Sequence, residues 1–523
     1  MALTTNSSSK VSNQYIPEDT VVIVGCGFSG IGAAILLKKQ LGKDINIIIY
    51  EKQSGIGGTW WSAAKYPGAA CDVPSHFYSF SFARNGYWSH HFSPQGEIQQ
   101  YLETVANKYQ IIPHIQFNTL VTDCVWNDSE QLWAVTTRPV VSDTNTLNIL
   151  PLSNSTSTIT KSRYLIVSNA PLCEPVYPNI SGRQLFQGHQ HHSARWPKDF
   201  DPTGKRIAVI GTGASSAQFV PVLSKSAKEV IVFQRTPAWV VPRMDFSYPR
   251  IIQYLFAFIP GLTWLYRCLL YIYHDVRYYG FVRKLPLISW LNTNLALLYL
   301  KFTVKNKEKR AILTPSYSLG CKRIILSDDF YPALDRSNVT LLGGGVKEIT
   351  ANGIIGQDNI ERKVDAIVYA TGFDIEASIK YTNIVGQNNK ALMDEWANDG
   401  GAEAYLGMTI PSFPNLFLTM GPNTGLGHSS VISMIEAELV YIVNMIDHMR
   451  KNKITSATIT KEACQKFNQT LQNDLKGTVW QNCRSWYNLQ GTKNITMWPW
   501  TVSWYWYMCN SINWNHYKVI KSN

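Results

Sequence analysis

The chain has 523 residues, long enough for several buried cores, and its 45 % hydrophobic and 16 % charged content excludes a disordered or collagen-like protein. A net charge of +12 favours anionic partners such as nucleotide phosphates or a membrane surface, while the lack of a dense basic run or nucleic-acid motif argues against nucleic acid. Nine scattered cysteines with no C-x-x-C pair argue against a zinc site, a redox dithiol or a disulfide scaffold, and suit a reducing, cytoplasmic setting. The polar first twenty residues contain no apolar core of a secretory signal.

Val21–Val24 reads as a buried parallel strand, followed by Gly25-Cys26-Gly27-Phe28-Ser29-Gly30, a helix from Ile31 to Leu37, and a second strand, Ile45 to Tyr50, ending on Glu51. This is the strand, G-x-G-x-x-G, helix, strand, acid order of a dinucleotide fold. The glycines let backbone N–H groups approach a pyrophosphate, the helix N-terminus adds partial positive charge, and Glu51 can accept from a ribose diol. Gly57-Gly58-Thr59-Trp60 comes next, then Tyr66-Pro67-Gly68-Ala69-Ala70-Cys71-Asp72, and then Tyr78 with the run Ser79–Phe82. Taken alone, Asp72 reads as a turn or cap aspartate.

Gln95 to Tyr109 has the apolar spacing of a helix; strands are expected over Ile115–Val125, Leu132–Thr137 and Tyr164–Ser168. The Ser/Thr/Asn-rich stretch from Arg138 to Ser162 reads as an exposed hairpin extension or a mobile loop. Phe186 to Pro197 follows, with Phe186, Gly188, His192, Trp196 and Pro197 in the spacing F-x-G-x-x-x-H-x-x-x-W-P.

A second nucleotide unit begins at the strand Arg206–Ile210 and continues through Gly211-Thr212-Gly213-Ala214-Ser215-Ser216, with a small serine in place of the third glycine. Its second strand, Val230–Phe233, is followed by Gln234, Arg235 and Thr236 where the first unit has Glu51. A carboxylate there repels a 2′-phosphate and a guanidinium binds one, so the first unit suits a 2′-hydroxyl nucleotide such as FAD and the second NADPH rather than NADH. Residues 246–312 are strongly apolar but interrupted by Pro260-Gly261 and Arg267. They read as a helical insertion, with shallow membrane attachment as a lesser alternative to a purely internal role. Gly320-Cys321-Lys322-Arg323 alone would pass for a basic surface turn. Ala370-Thr371-Gly372-Phe373 closes a return strand, and Gly421–His428 leads into a helix from about Ser430 to Arg450.

In combination these motifs resemble the Baeyer–Villiger monooxygenases, flavin enzymes whose fingerprint the five residues Phe186, Gly188, His192, Trp196 and Pro197 match. One departure is the spacing of Trp60 and Tyr66, five residues where the family has four, so a bulge is expected there. The resemblance implies an α/β fold with two Rossmann-like dinucleotide-binding domains and a helical insertion in the NADPH domain. It divides the chain into 1–175 and 370–523 for FAD, and 176–369 for NADPH with the insertion at about 246–312. It implies Arg323 and Asp72 as the catalytic pair, and His192 as a structural hinge rather than a base. It further implies a cofactor set of Gly25, Gly27, Phe28, Ser29, Gly30, Glu51, Gly58, Thr59, Trp60, Asp72, Tyr78 and Val121 around FAD. Around NADPH it implies Gly211, Thr212, Gly213, Ala214, Ser215, Ser216, Arg235, Thr236, Lys322 and Arg323.

The activity so implied is oxygen insertion next to the carbonyl of a small-molecule ketone, using NADPH and O2, with sulfoxidation as a side activity. Oxidation of nitrogen or sulfur centres by a flavin monooxygenase is the nearest alternative. A flavin disulfide reductase is disfavoured by the missing C-x-x-C, and a non-catalytic nucleotide binder by the two intact loops.

Overall fold

The computed structural model describes residues 17–143, 149–152, 156–169, 172–283, 285–374, 377–482, 487–489 and 493–522. Its frame is a pair of five-stranded, all-parallel sheets. The first has β1 (Thr20–Val24) at its centre, with β2 (Asn46–Tyr50) and then β3 (Ile115–Gln116) on one side. Tyr164–Val167 (β4) and Leu416–Leu418 (β10) lie on the other. The second sheet is ordered Val339–Gly343 (β8), Glu229–Gln234 (β7), Arg206–Ile210 (β6), Ala366–Tyr369 (β9) and His189–His192 (β5). Their central strands are continuous Val/Ile runs because both faces are covered, and Val21, Val22 and Ile23 have no exposed surface.

Each sheet carries the crossover helix that its glycine loop starts, α1 (Phe28–Leu41) in the first and α2 (Ala214–Ser226) in the second. The first core is closed by α6 (Val431–Lys451), so the first unit is built from both ends of the chain. Gly32 marks where α1 and α6 touch: a Cβ there would come 2.7 Å from Leu439 Cδ1 and 3.0 Å from Phe80 Cε1. The expected strand over Ile115–Val125 is broken at Phe117-Asn118, with Asn118 left-handed at φ 53°, and resumes as Thr119–Asn127. That strand pairs antiparallel with Leu132–Ser142, which pairs in turn with Thr158–Ser162 and Ile149–Pro151. The polar stretch is thus a hairpin extension, and residues 144–148 and 153–155 within it lie outside the described residues.

The apolar insertion forms α3 (Arg250–Phe258), α4 (Leu262–Phe281) and α5 (Pro286–Thr303), followed by Lys307–Leu313. No single helix among the described residues is long and apolar enough to cross a membrane. Although it departs from the second sheet in sequence, the insertion packs on both units. Leu300, Val304 and Leu313 join the core around α2, whereas Tyr278 and Val282 of the α4 segment join the core of the first unit. A buried ion pair fixes that second contact: Arg267 of α4 meets Glu436 of α6 at 3.3 Å and also donates to the His76 carbonyl at 2.9 Å.

Candidate active site

Both glycine loops open into one cavity of about 2000 Å³. In the first, Gly25 is left-handed at φ +101°, a region open to glycine, and a Cβ on Gly30 would fall 2.0 Å from the Gly25 carbonyl oxygen. Neither α1, capped by Gly27, nor α2, capped by Gly213, has a side chain on its first N–H groups. Two uncapped helix ends directed at one cavity are suited to two pyrophosphates. A Cβ on Gly213 would meet no heavy atom within 4 Å, so its loop leaves room for a phosphate. Substituting Gly30 by Ala forces backbone apart at the first loop. Flavin affinity of the purified protein, read from its flavin absorbance, is expected to fall by about tenfold or more.

Glu51 follows β2 at the position predicted for a ribose acceptor, lines the cavity and already accepts from the Cys26 and Gln53 N–H groups, each at 2.8 Å. Burial pushes its carboxyl above the ordinary value against the pull of those bonds. In the second unit the strand register places Gln234 at the corresponding point, since Gly25 and Gly211 donate respectively to the Tyr50 and Phe233 carbonyls. Gln234 is buried and donates to the Ile312 carbonyl at 2.8 Å, while Arg235 and Thr236 face the cavity. Lys322 lies on the same wall, its Nζ 4.8 Å from the Tyr317 ring centre. Burial and the Arg235 charge both push its pKa down, as expected of two cations sharing one site for an anion.

Arg323 and Asp72 meet in a direct ion pair, Nη2 to Oδ2, on the wall between the two loops. The Asp72 loop is docked on α2: the Gln218 side-chain amide donates to the Ala70 carbonyl at 2.9 Å and accepts from Tyr66 Oη at 2.9 Å. Arg323 is delivered by a loop that turns at Gly320, φ +87°, and runs into Ile325–Leu326, paired with Val240–Val241. Its side chain keeps 43 % of its surface accessible because the cavity wall is open, although the group lies well inside the protein. The Asp72 charge raises the guanidinium pKa, so Arg323 is a permanent cation. The cysteine pattern holds for seven free described cysteines, with one correction: Cys321, two residues before Arg323, is disulfide-bonded.

After Gly58 the chain makes a short helical turn, Thr59–Ser62, whose Thr59 carbonyl accepts from both Ala63 and Ala64 at 3.0 Å. Trp60 lines the cavity and its Nε1–H donates to Tyr78 Oη at 3.1 Å. Gly27, Phe28, Ser29, Gly58, Thr59, Tyr78 and Val121 line the cavity with Thr212, Ala214 and Ser215; Gly30 and Ser216 lie behind it.

The fingerprint residues stand away from that cavity. His189–His192 is the edge strand of the second sheet, and Trp196 and Pro197 pack outside it near Phe200. His192 is fully buried, with Nδ1 accepting from the Ala194 N–H at 3.0 Å. Burial and Arg195 push its pKa down to about 4, so it caps the turn as a neutral ring. Absent from the sequence expectations are His274 and Arg277 of α4 and His428, all on the cavity wall. His274 Nδ1–H donates to the His428 carbonyl at 3.0 Å. Burial, then Arg277, lower the His274 pKa to about 4 and that of His428 to about 3. For His274 and Arg277 the available signal was polar side chains within an otherwise apolar helix.

The family description "Flavin-binding monooxygenase-like" matches residues 18–258. A Pseudomonas aeruginosa protein named Baeyer–Villiger monooxygenase is 37 % identical over 94 % of this chain and 91 % of its own length. A Streptomyces coelicolor protein of the same name is 36 % identical over 92 % and 89 %. Among solved structures, a cyclohexanone monooxygenase from Rhodococcus bound to NADP+ superposes with TM-score 0.83 at 24 % identity, over 96 % of this chain and 99 % of that one. The OTEMO complex with FAD and NADP superposes with TM-score 0.82 at 25 % identity, over 97 % and 100 %.

Proposed function

The chain belongs to the Baeyer–Villiger monooxygenases, and from that premise we propose how its own residues carry out the reaction. It is an NADPH- and O2-dependent flavin enzyme that inserts one oxygen atom next to a ketone carbonyl, giving an ester or lactone. FAD, held by residues 1–175 and 370–523, supplies the oxygen activation that no side chain can. The loop from Gly25 to Gly30 receives its pyrophosphate at the N-terminus of α1, with Glu51 on the ribose. NADPH is held by residues 176–369, with Gly211–Ser215 on its pyrophosphate and Arg235 and Lys322 on the 2′-phosphate.

Arg323 provides a fixed positive charge where negative charge develops during the reaction, and Asp72 holds the guanidinium in place. The single observation that carries this reading is the Arg323–Asp72 pair on the wall of the cavity that both glycine loops enter. His274 and His428, neutral at physiological pH, help to exclude water and leave Arg323 without a competing titrating partner on that side. The substrate is a small-molecule ketone. A cytoplasmic setting is proposed on the seven free described cysteines, against which the Cys321 disulfide stands, and peripheral membrane contact on the exposed face of α3–α5.

A mass-spectrometric screen of linear, cyclic and aromatic ketones beside a sulfide and an amine, with NADPH and O2, tests the reading. Ester or lactone products are expected; turnover of the sulfide or amine alone would assign the enzyme to heteroatom oxidation. Arg235→Ala is expected to raise the KM for NADPH by about ten- to a hundredfold while barely changing that for NADH. Steady-state kinetics with both nucleotides checks this, and equal effects would remove Arg235 from the 2′-phosphate.

A further inference from the structure

Of the 36 exposed large hydrophobic side chains among the described residues, 21 lie between Phe246 and Phe302. They are arranged on helix faces. On α4 the inward stripe is Arg267, Leu270, His274 and Tyr278, all buried. At about 100° per residue the opposite side of the same helix carries Leu265, Leu269, Ile272 and Val276, with Trp264 on its flank, all exposed and without a charge among them. The helix is therefore inverted for a soluble surface: its cationic and polar groups point inward and its apolar groups point out. On α5, Leu287, Leu291, Leu298 and Phe302 form one stripe, with Leu287 and Phe302 each 77 % exposed. On α3, Phe258 is 70 % exposed.

These helices form one layer. Thr263 Oγ1 donates to the Phe256 carbonyl at 2.5 Å, and a Cβ on Gly280 would lie 3.0 Å from Ile288 Cγ2. The pair α3–α4 has membrane-like hydropathy over its length but bends by 101° at Ile259–Gly261, which suits a surface-lying wedge better than a straight crossing. Residues 246–312 contain ten Lys and Arg, of which Arg267 and Arg277 face inward, against two Asp and Glu. Arg250, Lys301, Lys305 and Lys307 are exposed at the ends of the layer. A second copy would bring like charges together at that rim, whereas an anionic lipid surface matches both the cationic rim and the apolar face inside it.

We propose that the outward face of α3–α5 is a docking surface for membranes that contain anionic lipid. Trp264 and Trp290 sit at headgroup depth and the leucine and phenylalanine side chains insert between acyl chains. The inner side of α4 presents His274 and Arg277 to the active-site cavity, so a single helix separates the bilayer from the reaction centre. An apolar ketone dissolved in the lipid then has the shortest approach to the enzyme at this face.

The test is flotation of the flavin-loaded full chain with vesicles of phosphatidylcholine alone and with about 30 % phosphatidylserine added. Binding to the anionic vesicles is expected. It should fall by about tenfold or more in high salt and in the double variant Phe258→Glu, Leu287→Glu. Turnover of a water-soluble ketone by that variant reports its folding, and loss of turnover in the unmodified enzyme would concern the catalytic reading alone. Failure to float with either vesicle overturns the proposal, as does equal binding to neutral vesicles. So does a dimer in sedimentation velocity that the double variant dissociates, which would assign the face to a second copy. Single variants Trp264→Ser and Phe302→Ser serve if the double variant does not fold, each expected to weaken flotation severalfold.

Discussion

Arg323→Ala is expected to abolish ester or lactone formation while NADPH oxidation continues. The guanidinium does no bond-making; its contribution is a positive charge already in position when negative charge appears in the cavity. Removing one such preorganised electrostatic group costs about 10²–10³ in rate. The Asp72 charge raises the Arg323 pKa, so no accessible pH switches the group off, and only its removal exposes the dependence. Arg323→Lys should recover little, because an ammonium on a flexible stem cannot reproduce the fixed fork that meets Asp72. Asp72→Asn keeps the shape and loses the charge that orients the arginine, so a smaller fall is expected. Product quantification beside nicotinamide absorbance separates the two half-reactions. If oxidation of NADPH fell in parallel with product, Arg323 would belong to nucleotide binding.

Glu436→Ala is expected to destabilise the folded enzyme by about 3–5 kcal/mol, the largest stability effect of any single side chain discussed above. Glu436 accepts from the Ser81 N–H at 2.6 Å and faces Arg267 at 3.3 Å, with both side chains nearly inaccessible to water. Burial raises the Glu436 pKa and lowers that of Arg267, and each charge partly restores the other. Cutting one away leaves the other charged inside the protein, whereas Arg267→Met with Glu436→Leu removes both desolvation costs together. The double variant should therefore recover most of the loss, a non-additivity that thermal unfolding of the flavin-loaded protein can measure. Additive losses would mean that the two residues act independently.

Much of the frame was legible because parallel strands buried on both faces must be continuous aliphatic runs, and Val21–Val24 and Ile207–Ile210 are such runs. The glycine loops were legible because Gly25 and Gly30 have no sterically allowed substitute. The contrast of Glu51 with Gln234 was visible because the two units repeat one pattern, and the register of β1 with β2 and of β6 with β7 aligns them. What stayed hidden was long-range packing. No local rule indicates that α4 turns back onto the first unit, because Arg267 finds Glu436 from 169 residues away. The same distance concealed His274 and His428, which look like odd polar residues until the fold brings them to one wall. For His192, expected as a hinge, the role of neutral cap on an edge strand depends on the pairing of that strand with Ala366–Tyr369, invisible in a histidine-rich stretch.

Arg323 and Asp72 are 251 positions apart and belong to segments that trace to opposite nucleotide units. The Asp72 loop is also held to α2 of the second unit through Gln218, so both members of the pair are referenced to that unit. The aim of the Arg323 charge is therefore set where the two units meet rather than within either core.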